Sequence, residues 1–370
     1  MIKINYVHPI PRNLDSSTIE YKRILVKNIQ IYRRRLPNEN LEFDFIGYNN
    51  QSNKKLIRDL TKGRCAYCGV RVTVSSQLEI EHYRPKKRLD IRGCEFILNK
   101  KSNYKFSNNI VGVVDCGYFY HGNDYKNLLP SCSVCNKGIS GAVVVVDNKL
   151  VYGMPFGKKN FFPIRYKRKN GKCTDYRVGK GAVIRIKDEI PLLYNPYLDD
   201  PMELFSYKKR INVEGAFYIK VSVSKNLSRH KKLLANVSIN ILGLNRIELC
   251  KKRFDIWDDL IRLKENVSAD VKSNNMSITT WARHAIQCSN YFDVQSGELI
   301  GFARAIGGGM PGTLRKLLAS LFSVESLGVL TESESFEMII QELKTFGNNN
   351  YNDDDFNSVE VVLDGFDIDL

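Results

Sequence analysis

Two pairs of cysteines limit the possible folds of this chain more than any other feature. Cys65 and Cys68 form the sequence CAYC, and Cys132 and Cys135 form CSVC. A spacing of two residues lets neighbouring thiolates bind one tetrahedral metal ion. The N-terminal residues lack the uninterrupted apolar stretch of an export signal, so we expect the nine cysteines to stay reduced, which favours metal over disulfides. We therefore predict a structural Zn²⁺ site; the alternative is four buried free thiols.

The two pairs are separated by 63 residues, which is long for a zinc ribbon. This segment contains the sequence LEIEHYRPKKR, residues 78–88. Its alternation predicts a strand with Leu78 and Ile80 towards a core and Glu79 and Glu81 towards solvent. His82 ends the alternating run and has an unperturbed pKa of about 6.5, so it could act as a base. Taken alone, such a histidine is more often a structural one, and Glu79 is either a supporting carboxylate or a solvated charge.

The charge of the chain predicts a polyanionic partner. The net charge is +16, yet residues 346–370 contain seven acids and no Lys or Arg, which leaves +16 + 7 = +23 on residues 1–345. Nucleic acid is the commonest partner of so basic a body. The alternative is a basic protein whose charge serves solubility.

A basic run follows His82 directly and predicts contacts to phosphate. It consists of Arg84, Lys86, Lys87 and Arg88. Such contacts would position a nucleic acid without reading its sequence. The alternative is a solvated cluster of charges.

The ordered motif residues resemble the HNH endonuclease motif with its four-cysteine zinc site. The match consists of Cys65, Cys68, Glu81, His82, Asn127, Leu128, Cys132, Cys135, Asn136, Lys137 and Gly138. The sequence departs from the motif's name at its third position, which is Asn136 instead of His, and Glu81 replaces the more frequent Asp before the base. Both replacements still offer oxygen to a hard cation.

This resemblance implies a role for each motif residue. His82 would be the general base, Glu81 a ligand of a catalytic Mg²⁺ or Mn²⁺, and Asn136 a second ligand. Asn127 would hold the connecting loop so that His82 keeps its tautomer and orientation. Lys137 is a further candidate for contact with the substrate.

A looser resemblance covers most of residues 1–310. The segments NDYKNLLPSCSVCN, FFPI, EIPLLYNPYLDDP and ILGLNRIELCKKR are similar to the HNH component of Septu anti-phage systems, which also occurs beside some retrons. That group implies an antiviral nuclease, acting on DNA or else RNA, that works with an ATPase of the ABC/SMC-like type. The alternatives are a stand-alone restriction or mobile-element HNH endonuclease and a non-catalytic, zinc-stabilised nucleic-acid-binding module.

The pattern along the chain predicts an α+β protein with a ββα-metal core and a mainly helical C-terminal domain. The expected organisation is an N-terminal helical segment (1–60), a nuclease core (61–165) with an insertion (83–124), a β-rich extension (166–225), a helical domain (226–345) and an acidic tail (346–370), disordered until it meets a basic surface. The sequence AVVVVDNKLVYG predicts a hairpin. No apolar run of transmembrane length is present, so we expect a cytoplasmic protein without membrane contact.

Overall fold

The structure is a computed structural model. It describes residues 1–4, 9–34, 41–72, 78–87, 89–90, 113–114, 117–139, 141–146, 149–153, 155–166, 189–211 and 215–272. Arg88, most of the predicted insertion, residues 273–345 of the predicted helical domain and the acidic tail lie outside the described residues.

The described residues contain both helices and strands. The chain is therefore a mixed α and β protein, as predicted. The helices are α1 (Ile19–Arg34), α2 (Ile46–Asn49), α3 (Gln51–Asp59), α4 (Ser133–Lys137), α5 (Pro201–Leu204), α6 (Arg229–Ile241) and α7 (Ile247–Lys272). The strands are β1 (Glu79–His82), β2 (Leu89–Asp90), β3 (Val113–Val114), β4 (Leu128–Ser131), β5 (Val143–Val146), β6 (Lys149–Tyr152), β7 (Ile164–Tyr166), β8 (Glu189–Pro191), β9 (Phe205–Ile211) and β10 (Phe217–Val223).

The strands β1 and β4 and the helix α4 form the unit that positions the motif residues. The two strands pair antiparallel, with Glu79 opposite Ser131 and His82 opposite Leu128. Cys132 then caps α4, because its Sγ accepts a hydrogen bond from the Cys135 backbone N–H at 3.4 Å. This order of elements brings the second cysteine pair and both halves of the motif to one place.

The N-terminal residues pack onto this unit. Leu14 and Ile57 form a buried cluster with Leu128 of β4. In a second cluster, the rings of Phe43 and Phe119 stack with their centroids 4.4 Å apart. Burial of apolar surface is the main stabilising contribution in such clusters, so Leu14 and Ile57 share a core with the motif unit.

Further antiparallel pairs of short strands lie along the chain. The strands β2 and β3 pair across the predicted insertion and bring its two sides together. The predicted hairpin is present, since β5 and β6 pair antiparallel with Val143 opposite Tyr152. The strands β7 and β8 form a further pair.

The chain divides into two compact units. The first contains Met1–Ser206 and Lys220–Cys250, and the second contains Tyr207–Ile219 and Lys251–Leu370. Within the second unit, Lys209 lies over the ring of Trp257, with Nζ 4.0 Å from the ring centroid. In the part of the chain that the structure describes, no helix has the length and apolar character needed to cross a membrane. The predicted domain boundaries stay predictions.

Candidate functional site

The four predicted zinc ligands meet in one cluster, which we call the thiol cluster (Cys65, Cys68, Cys132 and Cys135). All four Sγ atoms lie within 4.8 Å of one another, and none is in a disulfide. Tetrahedral zinc with Zn–S bonds of about 2.3 Å requires sulfur atoms about 3.8 Å apart. The Sγ atoms of Cys68 and Cys132 are 3.8 Å apart. The cluster can therefore hold a metal ion such as Zn²⁺.

The backbone around the first cysteine pair forms a tight turn that joins β4. The Cys65 N–H donates to the Val70 carbonyl at 2.9 Å, and the Gly69 N–H donates to the Cys65 carbonyl at 2.8 Å. The Ala66 N–H reaches the Pro130 carbonyl at 2.9 Å. These bonds bring the first pair to the strand that leads into the second pair.

His82 lies at the end of β1 in a defined tautomer. Its side chain is buried, and its Nε2 lies 2.9 Å from the Gly122 carbonyl oxygen. Because a carbonyl can only accept, Nε2 carries the hydrogen and Nδ1 carries the lone pair. Burial lowers the pKa of His82 well below its usual value, and the charge of Lys86 lowers this pKa further. The imidazole is therefore neutral, with Nδ1 as its basic atom.

Aromatic rings pack around His82 and fix the loop that contacts it. The Tyr48 ring meets the imidazole edge-on at 4.7 Å between centroids, and Phe45 lies at 6.5 Å. A Cβ atom added to Gly122 would fall 2.1 Å from Cε1 of Phe45. Only glycine lets the backbone approach this ring closely enough to present its carbonyl to His82.

Asn127 joins the two loops beside His82. Its Oδ1 accepts from the Arg84 backbone N–H at 2.7 Å, and its Nδ2 donates to the Arg84 carbonyl at 3.1 Å. The same Nδ2 donates to the His121 carbonyl at 3.0 Å. One amide thus connects the turn after β1 to the loop that carries Gly122.

Glu81 is buried at 7% exposure, so the prediction that it faces solvent is wrong. The reason is a lysine from outside the motif, because Lys158, itself 0% exposed, forms an ion pair with the Glu81 carboxylate. Burial raises the pKa of Glu81, while the nearby Lys158 charge lowers it. Glu81 and Glu79 do share a strand face, but a buried cation covers Glu81.

Glu79 contacts the residues that begin the next part of the motif. Its Oε2 accepts from Asn136 Nδ2 at 2.6 Å, and its Oε1 accepts from Lys137 Nζ at 2.5 Å. Glu79 therefore has protein partners and is more than a solvated strand charge. Because Nδ2 of Asn136 bonds to Glu79, Oδ1 is the Asn136 atom suited to a cation.

The oxygen atoms of Glu81 and Asn136 fit a hard cation by their chemistry. Among the described residues, however, only the thiol cluster brings together the ligand atoms of three or more His, Cys, Asp or Glu side chains. A Mg²⁺ or Mn²⁺ ion at β1 would accordingly rest on few protein oxygens. Mg²⁺ in proteins commonly keeps several waters and uses one or two carboxylates.

The basic run after His82 contains side chains in different environments. Arg84 forms an ion pair with Glu189, and these side chains are 12% and 3% exposed. Its guanidinium also lies over the Phe162 ring at 4.7 Å and the Tyr118 ring at 5.0 Å. These partners hold β8 against the turn after β1, and the phosphate contact predicted for Arg84 stays a prediction.

Lys86 lies beside the Tyr48 and Phe45 rings that pack against His82. Its Nζ is 3.7 Å from the Tyr48 ring centroid and 4.7 Å from that of Phe45. Burial, and after it the charge of Lys87, lowers the pKa of Lys86 to about 7. Lys87 is exposed, and Lys137 is exposed with its ammonium beside Glu79.

Sequence reasoning missed three functional candidates, namely Gly122, Lys158 and Glu189. Gly122 lies within the segment interpreted as an insertion, yet it provides the carbonyl that holds His82. Lys158 and Glu189 belong to a chain rich in charged residues, and nothing in their local sequence singles them out. Only the pairing of Lys158 with Glu81 and of Glu189 with Arg84 in the fold reveals them.

Comparison with known proteins places the chain beside one curated relative. It is 28% identical over 262 residues to the Septu protein PtuB of Bacillus mycoides (strain KBAB4). The aligned region covers 70% of this chain and 68% of that protein. No family model and no solved structure matches the chain. The predicted resemblance to the Septu component is confirmed, and the chain is a Septu PtuB-like protein.

Proposed function

We propose that this PtuB-like chain is a metal-dependent HNH endonuclease that hydrolyses phosphodiester bonds in nucleic acid, with DNA as the preferred substrate. In the cell it would be the effector of an anti-phage defence system. The similarity to the Septu protein supports the defence role, and the arrangement around His82 supports the chemistry.

One observation carries the catalytic proposal. His82 is neutral and donates through Nε2 to the Gly122 carbonyl, so its basic Nδ1 is available to take a proton. Phosphodiester hydrolysis needs a base that deprotonates a water aligned with phosphorus. A histidine held in this tautomer beside a carboxylate and a carboxamide is suited to that step.

The residues next to His82 would organise the reaction. Asn127 keeps the Gly122 loop in place, and the loop fixes the imidazole. Glu81 and Asn136 would hold the hard cation, with Glu79 orienting Asn136 through its amide hydrogen bond. When bound, Mg²⁺ or Mn²⁺ supplies positive charge that stabilises the phosphate and the leaving oxygen.

The surface next to this site is basic and suits a phosphate backbone. Lys87 and Lys137 are exposed, and Lys86 lies against the aromatic rings of Tyr48 and Phe45. Contacts of this kind hold nucleic acid without sequence preference. Arg84 and Arg88 complete the predicted set, and Arg88 lies outside the described residues.

We also propose a partner ATPase of the ABC/SMC-like type. The resemblance to the Septu component supports this, and a nuclease that damages its own host needs control. Cleavage should accordingly be strongest in the presence of that partner.

The test is a cleavage assay with the full-length protein in Mg²⁺ or Mn²⁺, with and without the ATPase encoded beside it. Substrates are plasmid, linear duplex, single-stranded DNA and tRNA. His82→Ala should lower the rate by about 10²- to 10⁴-fold, the range for general bases. His230→Ala on α6 is the matched control, since it removes a histidine elsewhere in the first unit.

The outcomes separate the candidate functions. Equal cleavage by wild type and His82→Ala would contradict the catalytic role. Binding of DNA without cleavage under every condition would favour the non-catalytic binding module. Full activity without the ATPase would favour the stand-alone endonuclease.

A further inference from the structure

An arginine from a distant part of the chain reaches the thiol cluster. Arg246 lies 111 residues after Cys135, at the turn between α6 and α7, and its side chain is buried. Its Nη1 donates to the Cys135 Sγ at 3.9 Å and to the Gly243 carbonyl at 3.1 Å. This contact involves none of the residues of the HNH motif other than the cysteine itself.

The turn that carries Arg246 is held from several sides. The Val145 N–H donates to the Asn245 carbonyl at 2.8 Å. The Asn245 side chain accepts from the Val221 N–H at 2.7 Å and donates to the Val221 carbonyl at 2.9 Å. The position of the guanidinium is therefore set by the backbone around it.

The electrostatics of a zinc tetrathiolate explain why a buried arginine belongs there. Zn²⁺ with four thiolates has a net charge of 2 − 4 = −2. A buried charge is costly unless an opposite charge or hydrogen bonds compensate it. Arginine stays protonated and is more weakly hydrated than lysine, so it suits a buried ion pair.

We infer that Arg246 is the buried countercharge of the zinc-bound thiol cluster and stabilises its zinc against loss. The inference rests on the zinc site proposed for this chain. It also assigns the α6–α7 turn a role in metal retention. Partners outside the ligand set commonly affect metal affinity by about 10- to 100-fold.

The test measures zinc transfer from the full-length protein to a chromogenic chelator, below the unfolding temperature. Arg246→Met should release zinc at least about 10-fold faster than wild type, while Arg246→Lys should release it more slowly than Arg246→Met because it keeps the charge. Arg253→Met is the matched control. It removes another buried arginine, from the second unit, whose guanidinium lies 5.9 Å from the Tyr207 ring centroid, and its release rate should match wild type.

A second measurement covers the case in which Arg246→Met does not fold. Co²⁺ replaces zinc in wild type and in Arg246→Gln, and the thiolate-to-cobalt charge-transfer band is recorded. Loss of the positive charge raises the energy of the sulfur electrons, so the band should move to longer wavelength. A purely structural role of Arg246 would leave the band unchanged.

Each result bears on the inference. Wild-type zinc release from Arg246→Met, equal acceleration in Arg246→Lys, or an unmoved cobalt band overturns the countercharge role while the zinc site itself stands. Wild-type protein that contains no zinc overturns both. Cleavage of nucleic acid is not part of the measurement, so loss of activity cannot imitate any of these results.

Discussion

The thiol cluster and the surroundings of His82 are built in opposite ways. In the cluster, four side chains of one type converge, and their sulfur spacing already suits tetrahedral zinc. Around His82, three side chains already have a protein partner: Gly122 for Nε2 of the imidazole, Lys158 for Glu81, and Glu79 for Nδ2 of Asn136. The first site can hold a metal ion, whereas the second is held together by pairs within the chain.

The two sites therefore depend on different interactions. A metal ion in the thiol cluster would compensate four thiolates, so we expect metal removal to disturb the fold. The His82 surroundings are compensated without a metal, so they should stay folded in chelator and lose activity only.

The largest effect should follow loss of a zinc ligand. Cys68→Ser, or a strong zinc chelator, should lower the free energy of unfolding by several kcal/mol, because zinc binding adds directly to folding energy. Circular dichroism during heating and metal analysis measure this. Cys250→Ser, a buried cysteine outside the cluster, is the control and should keep its zinc.

The next effect should come from breaking the buried ion pair. Lys158→Met leaves the Glu81 carboxylate buried without its partner, which typically costs about 3–5 kcal/mol. Denaturant unfolding measures this cost, and Lys158→Met combined with Glu81→Gln should recover part of it. An unchanged unfolding midpoint in Lys158→Met would show that the pair does not organise Glu81.

Lys86 should make stability depend on pH. Its folded-state pKa of about 7 lies below the ordinary value of 10.5, so above pH 7 the unfolded chain binds more protons than the folded one. Stability should therefore rise with pH between 7 and 10.5, by at most about 1.4 kcal/mol per pH unit. Unfolding of wild type and Lys86→Met from pH 7 to 9 checks this, and parallel pH curves for the two proteins would contradict it.

The smallest effect should come from the exposed partner of Glu79. Lys137 is 70% exposed at its side chain, and exposed ion pairs contribute about 0–1 kcal/mol. Lys137→Ala should hardly change the unfolding midpoint but should weaken binding of nucleic acid, more so at low salt. A large loss of stability in this variant would mean that the β1–α4 contact depends on this surface pair.

The two sites also differ in how far the sequence predicts them. The CxxC spacing identifies all four thiol ligands, because two-residue turns place adjacent sulfur atoms on one ion. Alternation around His82 predicts a strand and places Glu79 and Glu81 on one face. It does not predict that Glu81 is buried, since the covering Lys158 lies 77 positions later in the sequence.

The basic run shows the same limit. Its composition predicts a phosphate surface, and Lys87 is exposed as expected. Arg84 instead pairs with Glu189, which is 105 positions away, and stacks on Tyr118 and Phe162. Charge patterning reports the number of cations, whereas burial depends on which distant residue packs against each.

By itself, the sequence determined the two cysteine pairs of the thiol cluster, the strand that carries His82 and the order of the motif, because these depend on short-range spacing. The tertiary structure alone decided the tautomer of His82, the buried partner of Glu81 and the arginine beside the thiol cluster. Those features arise where residues far apart in the chain share one buried environment, and there the cost of an unpaired charge or polar group selects the partner.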